Sequence, residues 1–287
     1  MDFPTTPQQA EYLQIADRLA DRFAARADEQ DRSGEFPFAN FADIRAAGLP
    51  ALAVPVEYGG WGATLLDTVR VAEHLARGDG STALSFVMHL QTIGSAVETG
   101  GWPQETLAEL CRATVERGAL VNSLATEPAL GSPSRGGRPQ TTAQPIYGAD
   151  GAITSWILNG CKSFASMFPV LDYAILPAAL EDGSGEVGRF LVPVDAHFCV
   201  ERAWDAVGMR TTGSHTITFR RVVAPAPSMP QQRTRAAVCR LHWASRSLSW
   251  RVSSATWGRR RCCCTPRGCN STRLPSNGCA SRPAAPS

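Results

Sequence analysis

The stretch Gly118-Ala119-Leu120-Val121-Asn122-Ser123-Leu124-Ala125 decides the fold, because the hydrophobic period changes within it from 3.6 to 2. Gly118 stands where a helix ends, and Ala119 to Ala125 reads as a strand. Upstream, the chain is all helix and turn. Residues 8–31 place Tyr12, Ile15, Leu19 and Phe23 at helical spacing, with Asp17, Arg18, Asp21 and Arg22 between them. A short helix over 38–47 is closed by Gly48, and a glycine-rich turn follows at Glu57-Tyr58-Gly59-Gly60-Trp61-Gly62. Residues 64–77 predict a helix with Leu65, Val69, Ala72 and Ala76 on its inner face. Residues 81–98 predict another, carrying Leu84, Val87, Met88 and Gln91. Pro103 opens a helix through Arg117 with Leu107, Leu110, Cys111 and Val115 inward. His74 reads as solvated, His89 as partly packed, and Cys111 as a small buried hydrophobe.

Downstream, short strands are predicted over 141–147, 153–158, 173–180, 188–194 and 215–223. They are separated by Asp150-Gly151, Asn159-Gly160 and Glu181-Asp182-Gly183-Ser184-Gly185. In the last strand Ile217, Phe219 and Val222 face the core across a bulge. Helices followed by strands, without alternation, predict an α+β chain: an N-terminal α-helical domain (1–118), then a small antiparallel β-sandwich or barrel (119–227). No GxGxxG or phosphate-cradling loop argues for a doubly wound nucleotide fold.

The chain has 287 residues and a formal net charge of +2, but the charge is divided unevenly. From Ser228 onward there are eleven Arg, no Asp, Glu or Lys, and six of the nine Cys. Residues 228–287 therefore predict an irregular segment too poor in apolar side chains to offset chain entropy. Its Arg, Pro, Ser, Cys and Trp bias reads best as out-of-frame translation of a GC-rich gene. An anion-binding tail or a zinc site is the lesser alternative, since the cysteine spacing matches no usual ligand set. No apolar run reaches 18 residues and no secretory leader is evident. The expectation is a cytoplasmic protein with no membrane, nucleic-acid or metal partner.

Four ordered segments carry a resemblance. The first is Val54-Pro55-Val56-Glu57-Tyr58-Gly59-Gly60-Trp61-Gly62 with Glu73-His74-Leu75-Ala76-Arg77-Gly78-Asp79. The second is Thr126-Glu127-Pro128-Ala129-Leu130-Gly131-Ser132. The third is Asn159-Gly160-Cys161-Lys162-Ser163-Phe164-Ala165-Ser166. The fourth is Gly208-Met209-Arg210-Thr211-Thr212-Gly213-Ser214 with Val222-Val223-Ala224-Pro225. Together they resemble the acyl-CoA dehydrogenases over residues 11–225.

The resemblance implies N-terminal helices, a central β-domain and a C-terminal four-helix bundle, in homo-oligomers. It also implies FAD and α,β-dehydrogenation of an acyl-CoA thioester, with the α-proton taken by a carboxylate and the β-hydride by the flavin. The cofactor residues it implies are Ser123, Leu124, Ala125, Thr126, Ser132, Phe164, Ala165 and Ser166, and Ser132 also touches the thioester ligand. Phe164 stands where the family more often has Trp and would pack on the flavin face. Ser166 would hydrogen-bond near its hydride acceptor. No catalytic residue is assigned, because the family's base lies in the C-terminal bundle and residues 228–287 contain no carboxylate. Two alternatives stand beside this reading: a flavin-dependent monooxygenase of the same fold, and a non-catalytic remnant.

Overall fold

In the computed structural model, the described residues are 5–130 and 137–225, with the backbone of 234–235. Five helices come first: α1 Pro7–Ser33, α2 Phe38–Ala46, α3 Leu65–Gly78, α4 Gly80–Thr99 and α5 Gln104–Arg117. Eight strands follow: β1 Val121–Ser123, β2 Thr142–Tyr147, β3 Ile153–Ala165, β4 Tyr173–Leu180, β5 Glu186–Pro193, β6 Phe198–Arg202, β7 His215–Pro225 and β8 Thr234–Arg235. The α+β class is as expected. Residues 236–287, which hold most of the anticipated irregular segment, lie outside the described residues.

Local chemistry explains the helix limits. Thr6 caps α1 by accepting from the Gln9 amide at 3.2 Å, while the Thr6 amide donates to Gln9 Oε1 at 3.0 Å. Thr64 and Asp67 do the same for α3. The inner face of α3, however, is Asp67, Val71 and Leu75, while Leu65 and Val69 are exposed. The expected face is thus corrected. Gln9 of α1 donates to Asp67 at 2.6 Å and draws that edge of the helix inward. Helix α4 is turned in the same sense. Phe86, His89, Leu90 and Ile93 are buried, and Leu84 lies in solvent.

The sheet runs β6-β7-β3-β2-β4-β5-β8, and β1 pairs with β4. Pairing is mostly antiparallel, but β1 and β2 each run parallel to β4, so the sheet is mixed. β3 extends to Ala165, well past its expected end, because it pairs with β7 along most of its length, with two register shifts. Ile217, Phe219 and Val222 face the core, and the bulge opposite Asn159 sits at Arg221, whose φ is 55°.

Helices and sheet share their core. Phe23, Phe41, Phe86 and Leu75 pack in one cluster with Trp156, Leu176, Phe190 and Phe219. The stretch where the period changes is clamped from several sides. Arg45 of α2 donates to the Gly118 carbonyl at 3.2 Å, to the Val170 carbonyl at 2.9 Å and to Asp172 at 2.9 Å. Asp172 in turn accepts from the Leu120 amide at 2.8 Å. His89 is fully buried rather than partly packed. Its Nδ1 accepts from the Val121 amide at 3.1 Å and its Nε2 reaches the Pro50 carbonyl at 3.0 Å. Burial lowers this imidazole's pKa to about 4, so it is neutral and serves as a structural joint between α4 and β1. His74 is not simply solvated, since it pairs with Asp17 at 2.6 Å. No helix among the described residues is long and apolar enough to cross a membrane.

Candidate functional site

The site starts from the chain's only lysine. Lys162 on β3 is wholly buried and donates to Glu127 Oε1 at 2.6 Å and to the Pro177 carbonyl at 2.8 Å. Glu127 also accepts from the Gln140 amide, the Thr141 amide and the Thr141 hydroxyl. Burial pushes the Glu127 carboxyl up, but Lys162 and Thr141 outweigh it and hold it below the usual carboxylate range. Burial likewise lowers the Lys162 ammonium, and Glu127 partly offsets this. The two side chains form a buried ion pair at 2.6 Å, and the carboxylate accepts from three further donors. Gly160 belongs to the same arrangement, because a Cβ there would come 2.5 Å from Thr141 Oγ1.

This pair pins the second and third segments together, and the backbone completes the join. The Ser163 amide donates to the Thr126 carbonyl at 2.9 Å, and the Leu124 amide to the Ile175 carbonyl at 2.9 Å. Ser123, Ala125 and Thr126 are half-buried beside the end of β3, whereas Leu124 is buried. On the other side, Ala165 is buried, Ser166 is half-buried and Phe164 is 60% exposed. Seven of the eight expected cofactor residues are thus brought to one end of the sheet. Ser132 lies outside the described residues.

Phe164 has φ 54°, Met167 φ 67° and Met209 φ 53°. Left-handed conformations are unfavourable for such bulky residues, about 1–3 kcal/mol each, and their concentration here marks a constrained site. Trp204 braces it, meeting the Phe164 ring edge-on at 5.8 Å and donating from Nε1 to the Met209 carbonyl at 2.9 Å. The Trp204 amide donates to His215 Nδ1 at 2.8 Å, and burial lowers that imidazole's pKa.

Sequence reasoning missed the hydroxyls behind Ser166. Ser166 Oγ lies 2.8 Å from Ser214 Oγ, which lies 2.7 Å from Thr212 Oγ1, which donates to the Met209 carbonyl at 3.1 Å. Asn122 donates to the Ser166 carbonyl at 2.9 Å, and the Met167 amide to the Thr212 carbonyl at 2.8 Å. The signal was present in the Gly208–Ser214 segment, but nothing in linear spacing brings it to Ser166. Among the described residues, no group of three His, Cys, Asp or Glu is placed to hold a metal ion.

Comparison with known proteins adds the following. Residues 6–112 match the family model described as acyl-CoA dehydrogenase, N-terminal domain. A Bacillus subtilis (strain 168) protein named as an acyl-CoA dehydrogenase, YdbM, is 38% identical over 222 residues, covering 77% of this chain and 56% of the relative. An L-evernosamine nitrososynthase of Micromonospora sp. is 33% identical over 231 residues, covering 76% and 51%. The FMN-bound structure of TdsC from Paenibacillus sp. A11-2, a dibenzothiophene monooxygenase, superposes with a TM-score of 0.68 at 26% identity, covering 78% of this chain and 54% of TdsC. The chain spans about half the length of the curated relatives it matches.

Proposed function

The chain belongs to the acyl-CoA dehydrogenase family, and from that premise we propose that residues 119–225 form the flavin-holding part of an oxidoreductase acting on an acyl-CoA thioester. The observation that carries this reading is the exposed Phe164 ring, braced by Trp204 and flanked by the half-buried hydroxyl residues Thr126 and Ser166. A planar, hydrogen-bonding heteroaromatic ring fits such a place, where Phe164 would offer an apolar face and Thr126 and Ser166 would offer hydroxyls to its polar edge. FAD is the proposed form. Bound there, a flavin supplies hydride acceptance for α,β-dehydrogenation. The chain's own residues would hold and orient it. Phe164 offers the stacking face, and Ser123 to Thr126 line one edge with main chain and hydroxyl. Glu127 and Lys162 fix the spacing between those two walls. The proposed division places the helical domain at 1–118 and the β-domain at 119–227, in a homo-oligomer.

Monooxygenation is the second reading. It is favoured by the likeness to FMN-bound TdsC and to a nitrososynthase.

The test is to titrate the full chain with FAD and with FMN, following flavin fluorescence, and then to mix the loaded protein anaerobically with acyl-CoA thioesters. Binding that weakens at least tenfold in Phe164→Ala is expected, with a change in the bound flavin's spectrum when a thioester binds beside it. Binding of FMN in preference to FAD, with no spectral response to thioesters, would shift the assignment to the monooxygenase reading. No binding of either flavin would sink both.

A further inference from the structure

Ser166 is the outer end of a chain of three hydroxyls. Thr212 and Ser214 are 1% and 6% exposed, whereas Ser166 is half-buried and stands two residues from the Phe164 ring. Each hydroxyl has one proton to give and can accept. The far end of the chain is a carbonyl, Met209 O, which can only accept. With all three protons directed inward, Ser166 gives to Ser214, Ser214 to Thr212, and Thr212 to Met209 O. Ser166 then presents a lone pair outward.

The opposite polarity is equally complete. If Thr212 gives to Ser214 and Ser214 to Ser166, then Ser166 presents its proton outward. The Met209 carbonyl still accepts from Trp204 Nε1 at 2.9 Å, so nothing buried is left unbonded. Reversal requires only rotation of three hydroxyls: no covalent bond breaks and no proton leaves its oxygen. Two features hold the chain in place. Gly213, at φ 60°, lies between Thr212 and Ser214, and a Cβ there would come 2.7 Å from Phe36 Cδ2 and 2.9 Å from Pro169 Cδ. Asn122 anchors the Ser166 carbonyl and the Met167 amide the Thr212 carbonyl.

We propose that Thr212 and Ser214 are positioning residues that let Ser166 switch between donor and acceptor toward a ring edge whose own hydrogen-bonding sense inverts on reduction. This rests on the flavin reading above. An oxidised flavin presents ring nitrogen as an acceptor, and the reduced ring carries hydrogen there. A serine without the relay could still give its proton to the oxidised ring. Accepting from the reduced ring would leave its own proton directed at Ala rather than at a hydroxyl, an unmade bond in a covered site. The relay therefore favours the reduced form.

The experiment measures the affinity of the full chain for FAD and for FMN, oxidised and dithionite-reduced, in the wild type, Ser214→Ala, Thr212→Val and Ser214→Thr. Circular dichroism confirms that each variant is folded. Ser214→Ala is expected to weaken reduced-flavin binding about tenfold more than oxidised-flavin binding, a midpoint about 30 mV lower for a two-electron couple. Thr212→Val should shift it in the same direction, and Ser214→Thr, which keeps the hydroxyl, should restore it. Equal losses in both redox states would overturn the relay while leaving the flavin reading intact. Failure of the wild type to bind any flavin would remove the flavin reading and the relay with it.

Discussion

At the scale of single residues, His89 shows how burial sets chemistry. Its ring is fully buried between the Pro50 carbonyl and the Val121 amide, and burial lowers its pKa from 6.5 to about 4. The unfolded chain therefore binds this proton more tightly than the folded one between about pH 6.5 and 4. The stability it contributes is fully present above the unfolded value and is lost as pH falls toward the folded one, on the order of 3 kcal/mol across the window. Urea unfolding at pH 7.5, 6, 5 and 4 should show this decline, and His89→Gln should flatten it. A decline unchanged in the variant would assign it to other groups. That His89 was expected only partly packed follows from its sequence neighbours. Phe86, His89, Leu90 and Ile93 form one stripe of α4, and Leu84, Val87, Met88 and Gln91 form another of similar appearance.

At the scale of elements, the Glu127–Lys162 pair joins the turn after β1 to β3. Removing only the lysine head leaves a buried carboxylate unpaired and the Pro177 carbonyl without its donor. Lys162→Met should destabilise the fold by about 3–5 kcal/mol, measured by equilibrium denaturation. The double variant Lys162→Met/Glu127→Gln should be less destabilised, since no uncompensated charge remains. A double variant as unstable as the single would show that packing, not charge, carries the effect. The order and type of the helices and of most strands were legible, because capping residues, glycine stops and hydrophobic period are all local; β6 and β8 were not expected, and Asn159-Gly160, read as a break, lies inside β3. The buried faces of α3 and α4 were not. Each helix carries two apolar stripes, and the choice between them depends on α1, whose Gln9 reaches Asp67. For the same reason the parallel pairing of β1 and β2 with β4 was missed: it joins segments separated by long stretches of chain.

At the scale of the whole molecule, the segments that carry the family resemblance end at Pro225, and the chain spans about half the length of its relatives. We propose that residues 228–287 are an out-of-frame product. Translating the DNA for residues 215–287 in all three frames should reveal, after one inserted or deleted base, a long amphipathic helical stretch containing a carboxylate. If no frame does so, the eleven arginines of this region need a function of their own, and salt-dependent anion binding is the first to measure.

What the sequence determined by itself was everything written in short-range spacing: five helices, a change of period after Gly118, a series of strands, and four segments that resemble one family. Only the tertiary structure decided which stripes of α3 and α4 are buried. It also decided that Thr126 meets Ser163 through the backbone, that the one lysine neutralises Glu127, and that Thr212 and Ser214 stand behind Ser166. The reason is physical. A local pattern records what a residue can do with its neighbours along the chain. Burial, pKa and hydrogen-bond polarity depend instead on groups brought close by folding, here on strands as far apart in sequence as β1, β3 and β7.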